Sequence, residues 1–247
     1  AYLSQQAYHH DQSGQFWTKR LTRLMLPWMF WCAVYWALNL IVSDRPTAWL
    51  SDPYSLLVGP KIHLWFLPFC AIFLLLVPLV ARFVQSRSAL IAACILLAAA
   101  TLPLQHLHSL SRLPEPFSQW SLALPLYAFG LLHTAATRMD ARGVTLTTAA
   151  LISALSFAIY PQFWALQMLL GAALFELAWH ARINSPLPAR LARYAFGIYL
   201  MHPAFEFLAH KIAGDSIDPV GLALFSFIGA LAGTHIFLRL PVLRKTV

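Results

Sequence analysis

The chain has 247 residues, of which 60% are hydrophobic and only 11% are charged. Soluble globular domains carry about 25% charged residues, so this composition excludes a soluble fold, and the 14% of aromatic residues exclude a disordered chain. Its three cysteines lie in apolar runs, which excludes a secreted scaffold held by disulfides. The composition therefore indicates a polytopic membrane protein.

Eight apolar runs are long enough to cross the hydrocarbon core of a bilayer, which takes roughly 17–25 helical residues. In chain order they cover residues 24–42, 64–81, 88–105, 117–137, 144–160, 161–179, 194–210 and 219–238. The sequence therefore predicts an all-α fold, a bundle of eight transmembrane helices that forms one domain over residues 1–247.

The basic residues between these runs predict the orientation of the chain. Of the 17 lysines and arginines, thirteen fall on the side of the N-terminal segment and four on the other side. Because loops rich in Lys and Arg stay in the cytoplasm, both ends of the chain are predicted to be cytoplasmic. The net charge of +8 is then a topology signal, and no nucleic-acid partner is expected.

A basic segment precedes the first apolar run. Arg20 and Arg23 are three residues apart, so on a helix they share a face at the cytoplasmic boundary. Guanidinium groups suit phosphate recognition, and a phosphorylated donor such as a coenzyme A thioester would dock there. Simple anchoring at the membrane surface is the alternative.

An aromatic segment opens the second run at the predicted outer face. It contains His63, Trp65 and Phe66. A histidine at this depth can hydrogen-bond a sugar or shuttle a proton. An interfacial aromatic anchor is the alternative explanation.

The seventh run holds polar groups inside the predicted membrane span. Tyr199, His202, Glu206 and His210 follow at steps of three or four residues and so share one helical stripe. An ionisable residue in mid-span costs roughly 2.5–3.5 kcal/mol on insertion scales, so such a stripe is expected to face the bundle interior or a wet cavity. Hydrogen bonds between helices are the alternative.

Further histidines give weaker signals. His106 and His108 are placed in an outer loop, and no cysteine or carboxylate spacing supports a metal site there. Four residues near the inner ends of their spans are hypothesised to line a cytoplasmic vestibule, and two of them, four positions apart, can pair: His133, Glu176, His180 and His235.

Taken in order, the three motifs resemble those of the acyltransferase 3 family of integral membrane acyltransferases. Members have an Arg-x-x-Arg segment before a proline-containing span, here Arg20 to Arg23 and Pro27. They also have a His-Leu-Trp-Phe-Leu element, here residues 63–67, and a Gly-Ile-Tyr-Leu-x-His-Pro element, here residues 197–203. The resemblance implies a bundle of about ten transmembrane helices. It also implies transfer of an acyl group, preferably acetyl, from cytoplasmic acyl-CoA to a carbohydrate hydroxyl at the outer face.

The resemblance also implies roles for residues. In this family two helices precede the Arg-x-x-Arg segment, and the first carries a histidine regarded as essential for transfer. This chain opens with Ala1-Tyr2-Leu3-Ser4, which resembles the tail of the second helix, so an N-terminally truncated domain without that histidine is expected. The catalytic group is therefore unknown, and the candidates in this chain are Tyr199, His202 and Glu206.

On the same resemblance, Arg20 and Arg23 bind the donor, whereas His63, Trp65 and Phe66 lie on the acceptor side. Acyl-CoA, preferably acetyl-CoA, is the co-substrate, and neither a bound cofactor nor a metal is expected. The expected partners are the lipid bilayer, acyl-CoA and a glycan acceptor, and the expected location is the bacterial inner membrane.

Two other classes of function remain open. A transporter or flippase of a lipid-linked sugar would use the intramembrane His and Glu residues as a proton relay. The lack of inverted repeats and of paired broken helices weighs against it. A non-catalytic membrane scaffold is the third possibility, and the polar stripe of the seventh span weighs against that reading.

Overall fold

The computed structural model describes Tyr8 and residues 14–42, 47–181, 186–214 and 217–247, so the sequence motif at residues 1–4 lies outside the described part. All regular structure in these ranges is helical, as predicted. The α-helices are α1 (Gly14–Val42), α2 (Ser55–Val58), α3 (Phe66–Phe73), α4 (Leu76–Phe83), α5 (Arg87–Ser109), α6 (Phe117–Arg138), α7 (Arg142–Ile159), α8 (Gln167–His180), α9 (Leu187–Ala213) and α10 (Pro219–Arg239).

Four helices of the described chain are long and apolar enough to cross a membrane, and a bent pair of helices raises this number to five. They are Phe16–Ile41 within α1 and the helices α5, α7 and α10. The predicted count of eight spans is therefore not confirmed. Of the other predicted spans, α8 has only 14 residues, and polar side chains interrupt the apolar surface of α6 and α9.

The first helix extends beyond the predicted membrane span. Residue 24 was expected to open the span, but α1 already begins at Gly14 and includes Arg20 and Arg23. Hydropathy locates the apolar part of a helix, whereas basic residues are good helix formers and do not end it. Phe16, which is 3% exposed, also gives the early turns of α1 an apolar anchor.

The second predicted span, residues 64–81, is not one straight helix. A 3-10 turn at Ile62–Trp65 leads into α3, and the chain then bends by 41° before α4. Pro78 lies in the first turn of α4 and has no N–H to donate to the Leu74 carbonyl, which accepts from Val77 N at 3.1 Å instead. The missing bond explains why the helix breaks at this point.

The helices form two compact units. The first unit comprises Ala1–Arg20 and Phe69–Arg182, and the second unit comprises Leu21–Pro68 and Ile183–Val247. The first unit contains α4 to α8, with a core that is mostly small or branched, including Leu90, Ala149 and Ile152. Small residues let helices approach closely in the absence of a strong hydrophobic driving force.

Polar side chains connect the helices of the first unit. The Ser156 hydroxyl donates to Gln105 Oε1 at 2.5 Å, which ties α7 to α5. Leu169 N donates to the Ser153 hydroxyl at 3.1 Å, which ties the start of α8 to α7. The side chains of Gln105, Ser153 and Ser156 are buried, so their hydrogen bonds also satisfy atoms that would be costly to leave unpaired.

The second unit is built on the pairing of α9 with α10. Its core includes Trp31, Tyr35, Leu64, Leu67 and Leu200. The Trp31 indole Nε1 donates to the carbonyl of Thr246 at 2.9 Å, so the C-terminal segment is fixed against α1.

Candidate active site

A cavity of about 380 Å³ lies in the second unit, where the 3-10 turn at Ile62–Trp65 faces α9. Two segments that the sequence analysis identified separately therefore meet at one place. The lining residues are Lys61, Ile62 and His63 from the turn, and His202, Pro203, Glu206, Phe207 and His210 from α9. The predicted polar stripe thus faces a cavity over three of its four residues.

A glycine turn brings the first segment to this place. Gly59 ends α2 with a φ of 79°, a region that glycine enters without steric cost. A Cβ atom there would also lie 2.7 Å from the Cys32 Sγ. The position therefore requires glycine both for its backbone angle and for the close approach to α1.

Hydrogen bonds from two tyrosines hold the turn and α9 in place. The Tyr35 hydroxyl donates to the carbonyl of Leu200 at 2.7 Å, and the Tyr199 hydroxyl donates to the carbonyl of His63. The His63 ring is packed against Tyr35, Tyr199 and His202, with centroids 5.3, 5.6 and 5.5 Å away. Tyr199 therefore holds the turn at His63 in position and does not itself line the cavity.

The hydrogen bonding of His202 determines which of its nitrogens can react. Its Nδ1 lies 2.8 Å from the carbonyl oxygen of Tyr199, and because a carbonyl only accepts, Nδ1 must carry a proton. In the neutral ring, Nε2 then bears the lone pair. The geometry thus presents His202 as a hydrogen-bond acceptor or base.

His63 offers a second ring nitrogen. Its Nε2 atom is buried and has no hydrogen-bond partner within the described part of the chain. A buried polar atom without a partner is costly, and a ligand that bonds to it would remove that cost. Glu206 and His210 are exposed, so they can present charge or hydrogen bonds at the open side of the cavity.

The predicted aromatic platform is placed differently. Neither Trp65 nor Phe66 lines the cavity, although both belong to the same turn region. Phe66 lies edge-on to Tyr199 with centroids 5.9 Å apart, and Trp65 packs against Phe66. Their part in acceptor binding remains a prediction.

The two arginines of the basic segment lie on α1, as their spacing predicted. Arg20 is half-buried, with its guanidinium carbon 6.0 Å from the centroid of the Phe16 ring. Arg23 is exposed. Their donor-binding role remains a prediction.

A second polar cluster, which we call the Glu176 cluster, lies in the first unit. Glu176 accepts from His133 Nε2 at 2.8 Å and from Arg142 at 3.2 Å, and His180 Nδ1 lies 3.3 Å from the same carboxylate. The other ring nitrogen of His133 bonds the Thr145 hydroxyl at 2.8 Å. The cluster joins α6, α7 and α8 at the ends that carry Arg138 and Arg142.

The expected pairing of Glu176 with His180 is thus present, and His133 joins it. Sequence reasoning missed Arg142 and Thr145, for which the only available signal was their place at the start of α7. His235 belongs to the second unit, where its Nδ1 lies 3.1 Å from the Tyr194 hydroxyl. The shared vestibule remains a prediction.

Comparison with known proteins adds one finding. The sequence model of one protein family, described as an acyltransferase domain, matches residues 1–239 and therefore covers parts of both units. No curated protein and no solved structure matches the chain.

Proposed function

The chain belongs to the acyltransferase 3 family, and from this premise we propose that it moves an acetyl group from cytoplasmic acyl-CoA to a carbohydrate hydroxyl at the outer face of a membrane. Its apolar helices make it a multi-pass membrane protein. We further propose that residues 1–247 belong to one acyltransferase domain in the bacterial inner membrane, with both chain ends in the cytoplasm.

The observation that carries the proposal is the cavity beside His202. The acceptor hydroxyl enters the cavity and donates a hydrogen bond to Nε2 of His202, the nitrogen that bears the lone pair. Its oxygen attacks the thioester carbonyl carbon, the carbon–sulfur bond breaks, and the hydroxyl proton passes through the histidine to the coenzyme A thiolate. Base assistance of this kind contributes about 10²–10⁴-fold to a rate.

The other residues of the site support this reaction. His63 Nε2 forms a second hydrogen bond with the sugar, which completes a buried atom that has no partner in the described chain. Glu206 forms the open side of the cavity, where it contacts the hydroxyl groups of the sugar, and Trp65 and Phe66 pack beside the entrance. Arg20 and Arg23 bind the phosphates of the donor, because guanidinium groups pair well with phosphate oxygens.

Family membership favours acyl transfer over a lipid-linked sugar flippase, the other use considered for intramembrane His and Glu residues. The two functions differ in a single observable. A flippase moves its substrate without consuming acyl-CoA, whereas the proposed enzyme releases one free thiol for each acyl group transferred.

The test uses the protein expressed from its complete reading frame in membrane vesicles, with radiolabelled acetyl-CoA and a glycan fraction of the same cells. We expect label in the glycan and an equal release of free thiol. His202→Ala is expected to lower kcat/KM by about 100-fold or more, because the sugar hydroxyl loses the nitrogen to which it donates its hydrogen bond.

Leu208→Ala is the matched control, since it truncates an exposed residue of the same helix that does not line the cavity. It is expected to keep the wild-type rate. Label transfer that is equal in His202→Ala and Leu208→Ala would remove His202 from the reaction, and transport of the glycan without thiol release would overturn acyl transfer itself.

A further inference from the structure

A second cavity, of about 300 Å³, lies in the first unit and has no part in the site described above. We propose that it binds one neutral sugar ring of the glycan acceptor. This inference rests on the proposed function for the class of acceptor, but its evidence comes from other residues: His108, Ser111, Tyr160, Gln162 and Trp164.

The cavity lies at one defined end of the first unit. At the opposite end, Arg87 donates to the carbonyl of Asp140 at 3.1 Å, which places the start of α5 beside the α6–α7 connection. Here the last turn of α5 meets the end of α7, where His106 Nδ1 lies 2.6 Å from the Tyr160 hydroxyl. Because arginine-rich ends face the cytoplasm, the cavity opens toward the outer side, where the acceptor is proposed to be.

The two histidines of this region are on a helix and not in the loop where the sequence analysis placed them. α5 continues to Ser109, four residues beyond the predicted end of the apolar run at residue 105. The helical hydrogen bonds extend past the apolar surface, and Ser109 Oγ also donates to the carbonyl of His106 at 2.8 Å. His106 and His108 are thereby held in fixed positions.

The aromatic side chains of the cavity are preorganised. The bond to His106 fixes Tyr160, whose ring centroid lies 5.6 Å from that of Trp164. The Trp164 ring is in turn packed edge-on against His108, with centroids 5.4 Å apart. Rings held in this way bind a flat partner with little loss of side-chain entropy.

Hydrogen-bonding groups accompany these rings. His108 Nδ1 lies 3.1 Å from the carbonyl oxygen of Ser118 and 3.2 Å from its hydroxyl, so this nitrogen is already bonded and Nε2 is left for a ligand. Ser111 and Gln162 are exposed and add a hydroxyl and an amide, which both donate and accept. The described residues that line the cavity include no Lys, Arg, Asp or Glu.

This combination matches a sugar better than other ligands. A pyranose ring has C–H faces that pack on aromatic rings and a rim of hydroxyl groups that need both donors and acceptors. An anion would require a cationic side chain, which the described lining lacks, and a purely apolar ligand would leave the polar groups unpaired. A neutral sugar ring satisfies both kinds of lining group.

The experiment measures binding and not transfer, so it is independent of acyl-CoA. The protein in lipid nanodiscs is titrated with three neutral disaccharides, maltose, cellobiose and N,N′-diacetylchitobiose, and binding is followed by saturation-transfer NMR. We expect at least one of them to bind. Trp164→Ala is expected to weaken that binding by about tenfold, whereas Trp164→Phe keeps a stacking ring and most of the affinity.

Phe163→Ala is the matched control, because Phe163 is the adjacent aromatic residue, is 80% exposed and does not line the cavity. It is expected to bind like the wild type. Gln162→Ala removes only an exposed amide, so its expected severalfold loss does not depend on folding.

Three results would overturn the inference. The first is that the wild type binds none of the three sugars. The second is that both Trp164→Ala and Gln162→Ala bind sugar as the wild type does. The third is that Trp164→Ala and Phe163→Ala lose equal amounts of sugar affinity. Sugar binding without acetyl transfer would instead support the cavity as a sugar site and refute the proposed function.

Discussion

At the scale of single residues, Glu176 contacts three basic side chains of the first unit, His133, Arg142 and His180. Its carboxylate is the acceptor for His133 Nε2, and the His133 side chain is only 3% exposed. Glu176→Ala would leave that buried nitrogen without its acceptor, a penalty of about 1–3 kcal/mol. We therefore expect the free energy of unfolding, measured by titration with SDS in mixed micelles, to fall by about that amount.

His180→Ala is the control for this prediction. His180 contacts the same carboxylate, but its side chain is 62% exposed, so removing it is expected to cost between about 0 and 1 kcal/mol. Glu176→Gln keeps an oxygen that can accept from His133, and its loss should fall between the other two. Equal losses in Glu176→Ala and His180→Ala would show that the buried hydrogen bond does not stabilise the unit.

One contact of Glu176 can be predicted from the sequence, whereas its other contacts cannot. The spacing of Glu176 and His180 predicts their contact, because side chains four positions apart on a helix are neighbours. The contacts of Glu176 with His133 and Arg142 depend on how three helices pack, and nothing local in the sequence specifies that packing. Likewise, the stripe on α9 was predicted from its period, but its place beside His63 was not.

At the scale of helices, the contact of α9 with α10 depends on glycine. A Cβ atom at Gly197 would lie 2.4 Å from Cγ2 of Thr234, which is fully buried and branched at its own Cβ. Because that side chain has no room to move, Gly197→Ala is expected to push the helices apart and lower the free energy of unfolding by about 1–3 kcal/mol. The same SDS titration measures it.

Gly143→Ala tests whether the cost comes from the close approach. Gly143 lies in the first turn of α7, and a Cβ atom there meets nothing within 4 Å. Alanine favours the helix over glycine, so this variant is expected to be neutral or stabilised by up to about 1 kcal/mol. A comparable loss in both variants would contradict the packing explanation.

Helix boundaries were harder to predict than the presence of helices. The apolar runs identified the helical segments because burial in lipid requires a continuous apolar surface. Their ends are decided by other forces, as at α1 and α5, where helical hydrogen bonds continue through polar residues. The break before α4 follows from Pro78, which the hydropathy of the run did not reveal.

At the scale of the whole molecule, the distribution of arginines predicts which ends of the helices face the cytoplasm. Within the first unit, Arg87, Arg138 and Arg142 lie at one end, and Arg112 follows α5 at the other. The proposed enzyme needs this arrangement, because acyl-CoA is available only in the cytoplasm whereas the glycan lies outside.

Single cysteines at exposed positions can measure this orientation in intact cells. Gly143→Cys lies at the arginine-rich end and Arg112→Cys at the opposite end, and both positions are exposed. A membrane-impermeant maleimide is expected to label Arg112→Cys in intact cells and Gly143→Cys only after the cells are opened. The wild type, whose three cysteines are buried or half-buried, supplies the background. The reverse pattern would place the second cavity, which Trp164 lines, in the cytoplasm, where a glycan acceptor outside the cell cannot reach it. It would contradict the orientation on which both proposals depend.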